Sequence, residues 1–291
     1  MQFIAFILIY PLLWMISMLP FRLLYLLSDF FFVIMYHVVG YRKKTVRKNL
    51  LIALPNLTEK ERLEIEKKSY HHICDLFLEM IKTLTISDKE MNKRFITKNI
   101  EVIKDLEKKG KSIALMTGHY ASYEWSISMN KSFSFQGYAI YKKIANSYFD
   151  KLVRNIRSKF GATLITTKET IPTIEENFKK GHLGIYGFAS DQSPKSTKAF
   201  HWGNFFGVST PLQTGAEMLS KRFDMNIVFM RIRKVKRGYY EAELEILSEN
   251  PTSVPDYEIT DLFMKKLEAL IIEAPEYYLW THKRFKHRKS S

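Results

Sequence analysis

Cysteine is almost missing from this chain: Cys74 stands alone among 291 residues. That excludes an intramolecular disulfide and any zinc site built from several thiolates, and it points to a reducing compartment. Glycine, at 12, and proline, at 9, are too sparse for a collagen-like or low-complexity chain. No internal repeat and no Pro/Gly/Ser-rich linker divides it. Charge is missing in one place only, the first 21 residues, although the whole chain carries 45 Lys and Arg against 30 Asp and Glu, a formal charge of +15. Such a balance predicts attraction to polyanions, namely nucleic acid, anionic headgroups or an acidic protein. No nucleic-acid motif accompanies the charge, and aromatics are not interleaved with the basic runs, so nucleic acid is not the expected partner.

What fills the uncharged opening is a run of 17 residues, FIAFILIYPLLWMISML from 3 to 19, with only Pro11 and Ser17 outside the apolar and aromatic set. As a helix it measures roughly 26 Å, close to the minimum for a hydrocarbon core of about 30 Å. No basic residue precedes it and no small-x-small site follows, which argues for a retained anchor over a cleaved signal. A second apolar stretch, Leu23 to Tyr41, contains Asp29 and His37 and therefore reads as an interfacial or protein-packed helix. Arg42, Lys43, Lys44, Arg47 and Lys48 follow at once. Cations beside an apolar segment mark the cytoplasmic side and attract anionic headgroups. The expected organisation is a membrane anchor with a basic interfacial arm over 1–50 and one α/β domain over 51–291.

From Thr58 to Thr85 apolar residues recur at helical spacing, and Thr58 with Glu61 forms a capping-box pattern. His71, His72, Asp75 and Glu79 fall on that helix. Pairs at i and i+4 could ligate metal, but an exposed polar face is the simpler expectation, and no metal is assigned. Beyond residue 110, short apolar runs at 112–117, 135–141, 162–166, 183–189 and 226–232 alternate with helical patterns near 147–160, 169–180 and 210–223. That alternation predicts an α/β fold with a mainly parallel central sheet flanked by helices and an N-terminal helical membrane arm. A turn at Arg237 and Gly238 predicts an antiparallel pair at one end of the sheet.

The strand at 112–117 runs into Gly118 and His119, and in an open parallel sheet the carboxyl ends of strands border the ligand crevice. Glu124 lies five residues further. If His119 sits in the turn and Glu124 in the first helical turn, the carboxylate can accept a hydrogen bond from one ring nitrogen and leave the other as general base. Eight His and 30 acids in 291 positions produce about 0.8 such pairs by accident, so the pair needs support.

Support comes from several separated blocks. His119 through Glu124 is similar to the His-x4-acid motif of the lysophospholipid acyltransferase superfamily. Tyr141, Lys142, Asn146 and Asp150, then Arg154 to Ala162, resemble the second block of its lipid A biosynthesis (lauroyl/myristoyl) acyltransferase branch. Asp191 with Gln192 resembles the acidic block, and Phe205, Phe206, Gly207, Pro211 and Thr214 the next. The closing run from Ala274 to Lys286 is the most specific. Lys142 and Lys143 replace the usual Arg and Pro, and Ser193 follows the Asp-Gln pair where another acid is common, which bears on the acceptor. The resemblance implies transfer of a fatty acyl group from an acyl carrier protein thioester to a hydroxyl of a lipid A precursor, a phosphorylated lipid acceptor. It places the enzyme on the cytoplasmic side of a bacterial inner membrane and calls for no cofactor. His119 and Glu124 are then catalytic. Arg157 orients the dyad or grips an acceptor phosphate, Asp191 positions Arg157 or the acceptor, and Gln192, Tyr141 and Asn146 complete the substrate-binding set. The basic close from His282 to Lys289 could touch phosphates, a carrier protein or the bilayer, though taken alone it reads as a solvated tail. Two alternatives stay open: the same dyad with another membrane lipid acceptor, and a non-catalytic basic protein that binds membrane.

Overall fold

A computed structural model of the chain describes residues 2–289. Two apolar helices come first, α1 (Gln2–Met18) and α2 (Phe21–Val33), the latter continuing as a π-helical turn to Val39. Then follow α3 (Lys43–Ala53), α4 (Glu59–Lys82), α5 (Asp88–Arg94), β1 (Phe95–Thr97), α6 (Glu101–Lys108) and β2 (Ile113–Thr117). After a 3₁₀ stretch at Trp125–Ser132 come β3 (Gln136–Tyr141), α7 (Ser147–Ser158), β4 (Thr163–Thr166), α8 (Thr170–Lys179) and β5 (Gly184–Ala189). The hairpin β6 (Trp202–Phe205) and β7 (Val208–Pro211) precedes α9 (Gly215–Arg222), β8 (Asn226–Lys236), β9 (Tyr239–Ser248) and α10 (Glu258–Glu273).

Seven strands form one sheet in the order β1-β9-β8-β2-β5-β3-β4, parallel at every junction except β8 against β9. β2 is the centre, with Leu115 between Gly187 of β5 and Val228 of β8. A strand covered on both faces must be apolar throughout, and Ile113, Ala114, Leu115 and Met116 are all buried. The mainly parallel sheet flanked by helices is therefore as expected. The antiparallel pair does lie toward one end, turning at Gly238 with φ of +74°, but β1 extends the sheet beyond it. Three residues are too short a run for alternation to disclose.

The arm is held to the body by polar contacts as well as apolar ones. Lys82 Nζ donates to the carbonyls of Ser17 at 2.7 Å and Leu19 at 2.8 Å, closing the α1–α2 corner on the end of α4. The capping box of α4 is present, with Thr58 N–H donating to Glu61 Oε2 at 2.7 Å and Glu61 N–H to Thr58 Oγ1 at 3.3 Å. Its expected exposed polar face is not. His72, Asp75 and Glu79 are buried. Arg237, at the β8–β9 turn, donates to Asp75 at 2.7 Å and to Asp29 of α2 at 2.5 Å, and Ser28 donates to Asp75 at 2.8 Å. Glu79 accepts from the hydroxyls of Tyr25 and Tyr240, each at 2.8 Å. The acids that read as a solvated face are the inner half of a latch between arm, α4 and hairpin.

That latch decides how α2 is used. Phe21–Val39 is long and apolar enough to cross a membrane by length and composition. Yet Leu24 and Ser28 are buried and Asp29 is ion-paired to Arg237, so one face lies on protein while Leu26, Phe30 and Val33 point outward. The cations after it are partly engaged too: Arg47 bridges Glu66 at 2.8 Å, and Lys43 Nζ sits 3.6 Å over the Tyr36 ring.

Candidate active site

Parallel pairing of β2 with β5 brings Thr117 opposite Ala189, so the segments leaving the two strands emerge side by side at their carboxyl ends. Ser190 N–H still donates to Thr117 O at 3.0 Å, continuing the ladder one step past the strand. The next residues outward are His119 from one strand and Asp191 from the other. Gly118 is required at the exit, because a Cβ there would lie 2.6 Å from a methyl of Leu267 on α10. After it the chain turns through Ala121 in the left-handed region, φ +46°, with the Ala121 N–H donating to Tyr277 O at 3.0 Å.

His119 Nδ1 lies 2.6 Å from Asp191 Oδ1, with side-chain exposures of 19% and 2%. An ionised carboxylate only accepts, so Nδ1 carries the proton and the lone pair is on Nε2, where the Gln192 amide nitrogen stands 3.4 Å away. The Tyr123 ring packs edge-on to the imidazole at 4.9 Å between centroids. Burial pulls the His119 pKa down, but the Asp191 charge and hydrogen bond, with Glu124 beyond, outweigh burial and the opposing Arg157, and the net shift is upward. Burial pushes Asp191 up, and the His119 contact more than reverses it.

Glu124 is not the partner of His119. Residues 119–124 form a turn and not a helix, and the Glu124 carboxylate is gripped by the fork of Arg157 on α7, Nε to Oε2 at 2.8 Å and Nη2 to Oε1 at 2.5 Å. A bidentate guanidinium outcompetes a single imidazole N–H for that carboxylate. Asp191 likewise serves His119 in place of the expected Arg157 or acceptor. The other two candidates make local contacts: the Tyr141 hydroxyl donates to Asp150 at 3.2 Å, and Asn146 Oδ1 caps α7 by accepting from the N–H of Tyr148 at 3.0 Å. None of their hydrogen bonds reaches His119, Glu124, Arg157 or Asp191.

The closing segment is a strap across the His119 turn as far as Phe285, with Arg284 buried in it, while Lys283, Lys286, Arg288 and Lys289 are exposed as expected of a solvated tail. Leu279 N–H donates to His119 O at 3.1 Å, Tyr120 and Tyr278 form an antiparallel bridge, and Ser193 N–H donates to His282 Nε2 at 3.3 Å. Asn49 of α3 fastens the strap from behind, its amide donating to Trp280 O at 2.8 Å and His282 O at 2.6 Å. Sequence reasoning gave Tyr123, Tyr278, His282 and Arg284 no individual role at the His119 turn, although the last three lie in the closing run it singled out. Among the described residues no group of three or more His, Cys, Asp or Glu side chains could hold a metal ion.

Residues 1–287 match the family model described as bacterial lipid A biosynthesis acyltransferase. The chain is 25% identical over 280 residues to the lipid A biosynthesis lauroyltransferase of Escherichia coli (strain K12), covering 95% of this chain and 89% of that protein. It is 22% identical over 283 residues to a lipid A biosynthesis acyltransferase of Haemophilus influenzae, covering 94% and 85%. It is also 22% identical over 249 residues to the lipid A biosynthesis palmitoleoyltransferase of E. coli, covering 85% and 79%. With nearly the whole length matched, from the apolar arm through the His119 turn to the strap, the chain belongs to the bacterial lipid A biosynthesis acyltransferase family.

Proposed function

We propose that this acyltransferase moves a fatty acyl chain from an acyl carrier protein thioester to a hydroxyl of a phosphorylated lipid A precursor by direct attack, with His119 as general base. The observation that carries the reading is the 2.6 Å bond from Asp191 to His119 Nδ1, which leaves Nε2 as a lone pair facing Gln192 at the carboxyl ends of two central strands. The acceptor hydroxyl takes the place of the Gln192 amide on Nε2. As its proton passes to Nε2, the oxygen bonds to the thioester carbon and the carbonyl becomes an oxyanion. Collapse breaks the C–S bond, and the imidazolium returns its proton to the departing thiolate, so His119 ends neutral. Donors for the oxyanion are at hand in the displaced Gln192 amide and the guanidinium of Arg157.

Asp191 holds the tautomer and shares the imidazolium charge, while Glu124 fixes the Arg157 fork. The anchor and arm of residues 1–50 keep the domain of 51–291 at the cytoplasmic face of the inner membrane, where a lipid acceptor and a soluble acidic carrier meet. The chain's +15 charge suits both. Mass spectrometry of total lipids with and without the gene tests the reading, because the mass difference identifies acyl group and acceptor together. An unchanged lipid A profile, or a purified protein idle with acyl carrier protein thioesters, would remove it.

A further inference from the structure

Arg284 is an anomaly within the strap. Its side chain is 1% exposed, yet among the described residues no carboxylate lies within ion-pair distance of it. Nη1 donates to Ser193 Oγ at 2.6 Å and to Pro211 O at 3.2 Å, the guanidinium lies 4.9 Å from the Phe205 ring centre, and Nε and Nη2 are buried without a partner. Burying a cation this way is costly unless an opposing charge shares the same low-dielectric volume. The acid whose charge acts on it is the buried Asp191, two residues before the Ser193 that Arg284 grips, and the buried Tyr278 side chain feels both charges. Burial pulls the Arg284 pKa down, and Tyr278 and Asp191 oppose that fall.

We infer that Arg284 is a positioning residue for the His119–Asp191 pair: its buried cation offsets part of the Asp191 charge and so weakens the hold of that carboxylate on a second proton at His119. The inference rests on the acyl-transfer reading only for its kinetic readout. The groups facing His119 are Asp191 and Gln192 after β5, Tyr123, Glu124 and Arg157 from the turn and α7, and His282 from the strap. Glu124 and Arg157 cancel each other as a bidentate pair. A second cation near Asp191 therefore limits how strongly that carboxylate favours the protonated imidazole.

The test uses full-length protein in detergent. In Arg284→Met, which keeps length and loses charge, the pKa of His119 read by NMR without substrate should rise by about one unit. The acid limb of kcat/KM should rise with it, a loss of about tenfold on the acid side with the high-pH plateau kept within about twofold. Arg284→Lys should leave the limb in place. An unmoved His119 titration in folded Arg284→Met would overturn the inference, and so would equal shifts in both variants. Should Arg284→Met fail to fold, the double variant Asp191→Asn with Arg284→Met decides: melting temperature recovered relative to the single variants supports charge balance, and additive losses refute it. His119→Ala run alongside separates the two readings, because full turnover by that variant removes the base and leaves the substrate-free titration of Arg284→Met to stand or fall alone.

Discussion

At the scale of single residues, the site is a histidine–carboxylate hydrogen bond beside an ion pair. His119–Asp191 is the pair proposed to take up and return a proton, and Arg157–Glu124 is a bidentate clamp. His119→Ala should lower turnover by about 10² to 10⁴, the range for a general base, with folding and attachment unchanged. Asp191→Asn should approach that loss because it misassigns the tautomer. Because the folded pKa of His119 is raised, activity should fall on the acid side from a midpoint above the ordinary histidine value near 6.5, and a kcat/KM profile with its acid limb below 6 would contradict the pair. The clamp has its own test. Arg157→Lys keeps charge and loses the fork, so activity should drop steeply, whereas Arg154→Lys, exposed on the same helix and outside both pairs, should be nearly silent. Equal, small effects would reduce Arg157 to an ordinary cation. Glu124→Gln should add little to Arg157→Lys, since each alone dismantles the same contact.

At the scale of elements, Glu79 shows how a helix face can be misread. Periodicity put it on the polar side of α4, and polarity is where sequence stops: nothing local to 71–79 announces that Tyr25 arrives from the arm and Tyr240 from over 150 residues away to bury it. The strands were legible because β2, β3, β4, β5 and β8 are short apolar runs bounded by turns, while β1 and the β6–β7 hairpin are too brief or too polar to stand out. Glu124 was misassigned for a related reason, since spacing along the chain does not disclose a competitor on α7. Burial pushes the Glu79 pKa to about 7, above its unfolded value of 4.5, with Asp75 adding to the rise and Lys234 and the Tyr25 and Tyr240 hydroxyls opposing it. The folded state thus keeps a proton the unfolded state has lost, so this stability is present below pH 4.5 and fades as pH rises toward 7. Glu79→Gln cannot ionise and its amide can still serve both hydroxyls. It should therefore melt at a higher temperature than wild type at pH 8 and near wild type at pH 5, by up to about 3 kcal/mol at the higher pH. A variant that melts lower at both pH values would show that the carboxylate itself is required.

At the scale of the whole molecule, large exposed apolar side chains are densest on α1 and α2, with others scattered over the body. Ile4, Leu8, Leu12 and Met15 of α1 are all more than half exposed, and Phe3 and Phe6 lie against Tyr148 on α7, so the outer face of α1 continues onto the helix that carries Arg157. Deleting residues 3–19 would test attachment poorly, because Leu13 and Ile16 pack with the buried Leu78 and Ile81 of α4 and their loss would open the body. Replacing Ile4, Leu8, Leu12 and Met15 together by Asn leaves that inner side whole and removes only outward apolar area. If the face is the principal anchor, much of the protein should move to the soluble fraction, and what remains should come off at high salt, since α2 and the cations at 42–48 hold it by weaker, screened contacts. The released enzyme should keep its rate on a detergent-dispersed acceptor and lose it on acceptor embedded in vesicles, because the His119 site is untouched and only delivery has changed. Full retention of the quadruple variant on membranes in high salt would transfer the anchoring role to α2, and equal loss on both forms of acceptor would mean that the face supports the fold and not the encounter with lipid.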